Sequence, residues 1–217
     1  MAKRTTTRRT RGVLGGRSER VVQDVLSATV AELAESGYRA FRMDAVSAVA
    51  AVNKTTIYRR WPSKAALVTA CVESMRTLVH EVPLPDTGSL ERDLALAFRH
   101  RVRFKDRVDG KAWARLRAEQ HDPEVSAAIG DAVNERSEAW YTMVTRAIAR
   151  KELPKGTDAR LLLGMVGAIV DAWNARAAGR LKPELLEAAV RTVVEGARAG
   201  TLVRASARTR SRSSNAT

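Results

Sequence analysis

The chain has 217 residues, 45% of them apolar and 29% charged, with a formal net charge of +14. That length and apolar share exclude a wholly disordered chain and allow one or two packed domains. A single cysteine, Cys71, excludes an internal disulfide and a cysteine-built metal site.

Residues 1–16 are basic, rich in Thr and Gly and without periodicity, and are expected to form a disordered arm. From Ser18, Val22, Val25, Leu26, Thr29, Val30 and Leu33 recur at helical spacing until Gly37 stops the pattern. Two short helices are predicted next. One covers about 42–49, with Met43, Val46 and Val49 or Ala50 inward; the other covers about 53–59, capped by Asn53 and ended before Pro62. Ser63 then caps a helix to about residue 79, in which Cys71 is a small core side chain beside Val68, Val72 and Met75. The segment "VPLPDTG", 82–88, breaks the pattern and marks the domain boundary, giving domains at 17–80 and 85–200.

Beyond it, helices are predicted at about 89–106 opened by Ser89, 110–119, 123–150, 158–178 and 183–199. The third of these predicted regulatory elements, 123–150, has Asp122 as cap and Pro123 at its first position. Residues 201–217, rich in Arg and Ser, read as a second basic disordered tail. No strand of useful length and no repeat is evident, so the fold class is all-α with about nine helices.

The positive charge is concentrated. Residues 1–20 hold seven bases against one acid, and 201–217 hold four bases and no acid. The window 42–64 holds Arg42, Lys54, Arg59, Arg60 and Lys64 against Asp44, and the remainder of 21–200 sums to zero. Basic tails with one basic internal window point to a polyanion partner.

Two short helices joined by a tight turn are a helix-turn-helix signal. With Ile57 turned inward and Val52 in the turn, Lys54, Thr55, Thr56, Tyr58 and Arg59 are left for the outer face. Small Thr55 and Thr56 permit close approach to base edges in the major groove, and Lys54, Tyr58 and Lys64 suit phosphate oxygens. A solvated basic hairpin is the alternative reading of the same residues.

The stretch "FRMDAVSAVAAVNKTTIYRRWPSKAALV" resembles the DNA-binding domain of the TetR family of bacterial transcriptional regulators, most specifically over Val52 to Leu67. The resemblance runs from the helix at 18–36 to about residue 75. It implies an all-helical homodimer with an N-terminal three-helix reader, a larger C-terminal domain for ligand binding and dimerisation, and a small-molecule effector. The sequence departs from the family pattern at Ala51, in place of the turn glycine, and at Arg42, in place of the helix-opening Thr. It departs also at Val49, in place of a common Arg, and at Asn53, in place of Ser or Gly, where a cap is kept. Arg42 and Asn53 therefore join the candidate DNA-binding residues.

The helix 158–178 is apolar nearly all round and needs burial on two sides. With the striped helix 183–199 it suits a four-helix dimer interface through Leu162, Val166, Ile169, Trp173, Leu186, Val190 and Val193; a central helix in a monomeric bundle would look the same. The resemblance favours the dimer. Phe98, Phe104, Trp113, Trp140 and Met143 are candidate pocket residues, although plain core accounts for them as well. Arg101, Arg103 and His100 are read as a solvated face in preference to contacts with an acidic ligand.

Enzyme readings find no support: His80, His100 and His121 have no partner at ligand or triad spacing, and "DGK" at 109–111 lacks the glycine of a phosphate loop. No cofactor or metal is expected. The N-terminal segment has no apolar core of a secretory signal, and the longest apolar run, Leu161 to Val170, is too short for a membrane span. The expectation is a cytoplasmic, homodimeric, ligand-responsive repressor on a pseudo-palindromic double-stranded DNA operator. The alternative is a compacting protein that binds nucleic acid through its basic tails without regard to sequence.

Overall fold

A computed structural model describes residues 16–80, 84–176 and 181–204. The basic segments 1–15 and 205–217 and part of the predicted break lie outside these described residues. Nine helices are present among them: α1 Gly16–Ser36, α2 Met43–Val49, α3 Lys54–Arg60, α4 Lys64–His80, α5 Leu90–Asp106, α6 Val108–Ala118, α7 Pro123–Ala149, α8 Ala159–Arg176 and α9 Pro183–Arg198. The fold is all-α, as the helical periodicity predicts.

Local chemistry fixes most helix ends. The Asn53 side chain accepts from the Thr55 amide at 2.9 Å, and Ser63 Oγ accepts from the Ala66 amide at 3.1 Å. Asp122 accepts from the Glu124 amide at 2.9 Å, with Pro123 at the first turn of α7. Ser89 differs from expectation: it opens α5, but its side chain makes no cap. The Leu90 amide instead donates to Glu152 from the α7–α8 connection at 2.9 Å. Buried Asp93 accepts from the amide and hydroxyl of Thr87, both at 2.8 Å, folding the preceding loop onto the helix.

Two apolar cores result. The first joins α1–α4 to α6 and the N-terminal half of α7, through Leu33, Val46, Ile57, Leu67, Leu116 and Val125 among others. The second joins α5, the C-terminal half of α7, α8 and α9, through Leu94, Phe98, Met143, Leu162 and Val190. Burying each such side chain contributes roughly 1.5–3 kcal/mol. Along α7 the side chains pass from the first core to the second between Ala132 and Met143. A 27-residue helix is about 40 Å long, enough to serve both. Cys71 is wholly buried in the first core, and burial pushes its thiol up to about 12, so it is an unreactive core residue.

The start of the predicted C-terminal tail is structured. Val203 pairs with Thr157 in an isolated bridge, Leu202 is buried, and Arg204 meets Asp158 at 3.0 Å. Leu202 supplies the apolar anchor that composition alone, dominated by Arg and Ser, conceals. No helix among the described residues is long and apolar enough to cross a membrane.

A candidate nucleic-acid interface

The reader is built on two apolar anchors. Val46 of α2 and Ile57 of α3 are buried in the first core, which sets the outward face of α3 by helical periodicity. Asn53, Lys54, Thr55, Tyr58, Arg59 and Arg60 are exposed, and Thr56 is half-buried. Tyr58 is 46% exposed despite its size, so its ring is free to meet a partner. Thr55, Tyr58 and Arg59 stand three and four residues apart and share one face.

The turn between the helices is held by Ser47, a residue that the motif reading passes over. Its hydroxyl donates to the Val52 carbonyl at 2.7 Å, and the Val52 amide donates back to the Ser47 carbonyl at 3.1 Å. Ala51 has φ 51°, in the left-handed region. A Cβ there costs about 1–2 kcal/mol, and glycine would lose part of the gain through its freer unfolded chain. Ala51→Gly is therefore expected to stabilise the protein by about 0.5–1 kcal/mol net, read as a raised melting temperature. An unchanged or lowered value would show that the turn carries no such strain.

The bases are not equivalent. Arg42 and Arg59 are exposed. Arg42 opens α2 with an extended backbone and no side-chain cap, and its own amide donates to Glu32 at 3.2 Å. Lys54 pairs with Asp44 at 2.6 Å, with both side chains more than half exposed. Such a pair contributes about 0.2–1 kcal/mol and can give way to a phosphate. Arg60 lies 5.5 Å from the centroid of the buried Trp61 ring, which orients its guanidinium.

Lys64 stands in the first turn of α4 and is already engaged within the chain. Its ammonium donates to the Tyr38 carbonyl at 3.1 Å and sits 4.0 Å over the Tyr38 ring, holding the 37–41 loop. Tyr38 is buried and donates its hydroxyl to Glu124 at 2.5 Å. Burial, then the Glu124 carboxylate, push that hydroxyl well above the usual tyrosine range. Lys64 thus serves the joint between the reader and α7, while Arg42, Arg59 and Arg60 make no ion pair among the described residues.

The residues expected at a subunit interface divide in two. Leu162, Val166, Leu186, Val190 and Val193 are buried in the chain's own second core and cannot also meet a partner. Ile169 and Trp173 are half-buried. The physical reason is that an all-round apolar helix has two usable faces, and the row 162–166–170 took the inner one. The outer row is Leu161 (49% exposed), Gly164, Met165 (40% exposed), Ala168 and Ala172, flanked on α9 by Leu185 (43% exposed) and Ala188. It carries no charge.

The expected pocket residues also separate. Trp113 packs against the first core, while Phe98, Met143 and Trp140 belong to the second. Phe98 and Met143 are fully buried; Trp140 and Phe104 are half-buried. Phe98 and Trp140 meet edge to face at 4.7 Å. Arg103 and His100 are exposed, but Arg101 leaves the solvated face: it is half-buried and bonds Asp171 at 2.8 Å. Among the described residues no cluster of His, Cys, Asp and Glu is placed to hold a metal.

Comparison with known proteins bears on this arrangement. Residues 25–71 match the bacterial regulatory proteins of the tetR family, and residues 84–209 match the tetracyclin repressor-like C-terminal domain. The HTH-type transcriptional regulator AqdR of Rhodococcus erythropolis is 29% identical over 182 residues, 83% of this chain and 86% of that protein. The DNA-binding transcriptional repressor TetR of Mycobacteroides abscessus is 30% identical over 148 residues, 67% of this chain and 77% of that one. Among solved structures, a TetR transcriptional regulator from Chloroflexus aurantiacus superposes with a TM-score of 0.66 at 21% identity, covering 83% of this chain and 95% of that one. FadR of Bacillus subtilis, solved with stearoyl-CoA, gives 0.63 at 19% identity, covering 82% and 98%.

Proposed function

Since the chain belongs to the TetR family of bacterial transcriptional regulators, we propose that it is a homodimeric repressor. It holds a pseudo-palindromic operator with one reader per half-site and releases it when a small molecule binds in the C-terminal domain. The observation that carries this reading is the exposed face of α3. Thr55 and Tyr58 offer hydroxyls and a ring to base edges and backbone, while Arg42, Arg59 and Arg60 supply phosphate contacts around them. Two such readers must stand one helical turn of DNA apart, about 34 Å, or a multiple of it. One chain carries one reader, so a second copy is needed, and the uncharged outer row of α8 and α9 is the surface for it.

Repression rather than activation is supported by the name of the Mycobacteroides relative. Response to a small molecule is supported by the stearoyl-CoA complex of a protein with this fold. A ligand acts here only through its preference for the dimer geometry that cannot span both half-sites.

The test is selection of bound genomic fragments by the purified protein, followed by titration of the selected site. Tyr58→Ala is expected to weaken operator binding by roughly 1–3 kcal/mol, with the melting temperature unchanged because the ring is exposed. Affinity for random DNA is expected to change little. If the protein selects no site over random DNA, or Tyr58→Ala binds the site normally, the reader assignment fails and binding through the basic termini becomes the better account.

A further inference from the structure

Most charged side chains of the α5–α9 half are matched. Arg99 meets Glu187 at 2.9 Å, Arg146 meets Asp86 at 2.6 Å, and Arg150 meets Glu152 at 2.6 Å. Arg136 on α7 is different. It is half-buried, and no carboxylate among the described residues pairs with it. Burial first, then the like charge of Arg101, lower its pKa from the ordinary arginine value, the reverse of what a partnered guanidinium shows.

Arg101 brings no relief, because its own partner is already shared. Its Nη2 donates to both oxygens of Asp171, at 3.1 and 2.8 Å, and the Lys105 ammonium takes the same carboxylate at 2.5 Å. Two bases thus share one acid, and Arg136 adds a third positive charge close enough to repel Arg101. Their surroundings are aromatic. The Arg101 guanidinium lies 5.5 Å from the Phe98 ring centroid, Trp140 meets Phe98 edge to face at 4.7 Å, and Arg136 precedes Trp140 by one helical turn. Gly167 on α8 lies beside this group: a Cβ there would come within 3.2 Å of Arg101 Nη1, so the glycine lets the α8 backbone lie close to the guanidinium.

A desolvated charge without a counter-charge is costly to keep, and a fork of guanidinium donors fits a planar or tetrahedral oxyanion. We propose that α5, α7 and α8 form a binding site for a small organic anion, whose carboxylate or phosphate pairs with Arg136 and Arg101 while its apolar body lies along Trp140. This names the chemical class of the effector and rests on the ligand-responsive reading above for its regulatory meaning.

Calorimetric titration of the full chain, without DNA, with benzoate, phenyl phosphate and neutral benzamide tests it. The three probes share a ring and differ in charge. At least one anion is expected to bind ten times or more tighter than benzamide, and which one it is separates a carboxylate site from a phosphate site. In Arg136→Met that preference is lost, whereas Arg103→Met, which removes an exposed base from the same region, keeps it. Arg136→Met without ligand is expected to melt higher, because an unpaired desolvated charge is gone. Equal binding of all three probes, or no binding, overturns the site; so does a preference that survives Arg136→Met. Adding the preferred anion to the operator complex is a separate measurement. An anion that binds through Arg136 yet leaves DNA affinity unchanged upholds the site and refutes the ligand-responsive reading.

Discussion

Met165→Glu is expected to give a folded monomer whose operator affinity is at least 100-fold lower. Met165 is 40% exposed in the isolated chain, so a carboxylate there has water and does not disturb the second core. In a two-fold dimer packed through α8 and α9 the same position is buried near its symmetry mate. Two carboxylates would then be desolvated together, at an effective cost of several kcal/mol per ion. Divalent engagement of two half-sites raises affinity by about 10²–10⁴ over a single reader, and a monomer forfeits that gain. Sedimentation equilibrium should report the 23.7 kDa chain for the variant and twice that for the parent. Circular dichroism should be unchanged. Leu162→Glu is the contrasting variant: Leu162 is fully buried in the chain itself, so it should unfold the protein rather than split it. A Met165→Glu protein that remains dimeric would place the interface elsewhere.

That contrast shows where the sequence is informative. A one-faced helix declares its inner side, and α1 buries Val25, Leu26, Thr29 and Leu33 as its spacing requires. The two-faced α8 does not, because Leu161 and Leu162 are equivalent in type and only the tertiary arrangement decides which turns inward. Caps made within two or three residues, at Asn53, Ser63 and Asp122, are legible for the same local reason. The start of α5 is not, since its amide is satisfied by Glu152, 62 residues away. The reader follows from a dense local pattern and the left-handed Ala51 from its place in the turn. The bond from Lys64 to Tyr38 is not legible locally, because Tyr38 lies on the far side of α2 and α3 in the chain. Arg136 gave no signal at all: nothing in "NERSEAW" distinguishes a base that faces inward without a partner from one that faces water.

Gly37→Ala is expected to cost about 3 kcal/mol of stability, a large effect for one added methyl group. Gly37 ends α1 with φ 71°, where a side chain costs about 1–2 kcal/mol. The Cβ would also strike the Glu119 carboxylate at the end of α6. That carboxylate accepts from the Tyr38 amide at 3.2 Å and the Arg39 amide at 2.8 Å. Its Oε1 is the atom struck, so the bond from the Tyr38 amide is lost, and a bond to a charged acceptor is worth about 1.5 kcal/mol at the low end of its range, which suits a partly exposed site. For a chain of this size the loss corresponds to a fall in melting temperature of roughly 6–12 °C. The two causes separate in a double-mutant cycle. Glu119→Ala alone should lose the two bonds, and Gly37→Ala added to it should cost only the backbone strain. The double variant should therefore be more stable than the sum of the two singles predicts. The same loop carries Tyr38, whose ring and carbonyl hold Lys64 and whose hydroxyl holds Glu124, so α6, α7 and the reader share one joint. Strict additivity in the cycle would mean that Glu119 does not fill the space beside Gly37, and the joint would then rest on Tyr38 alone.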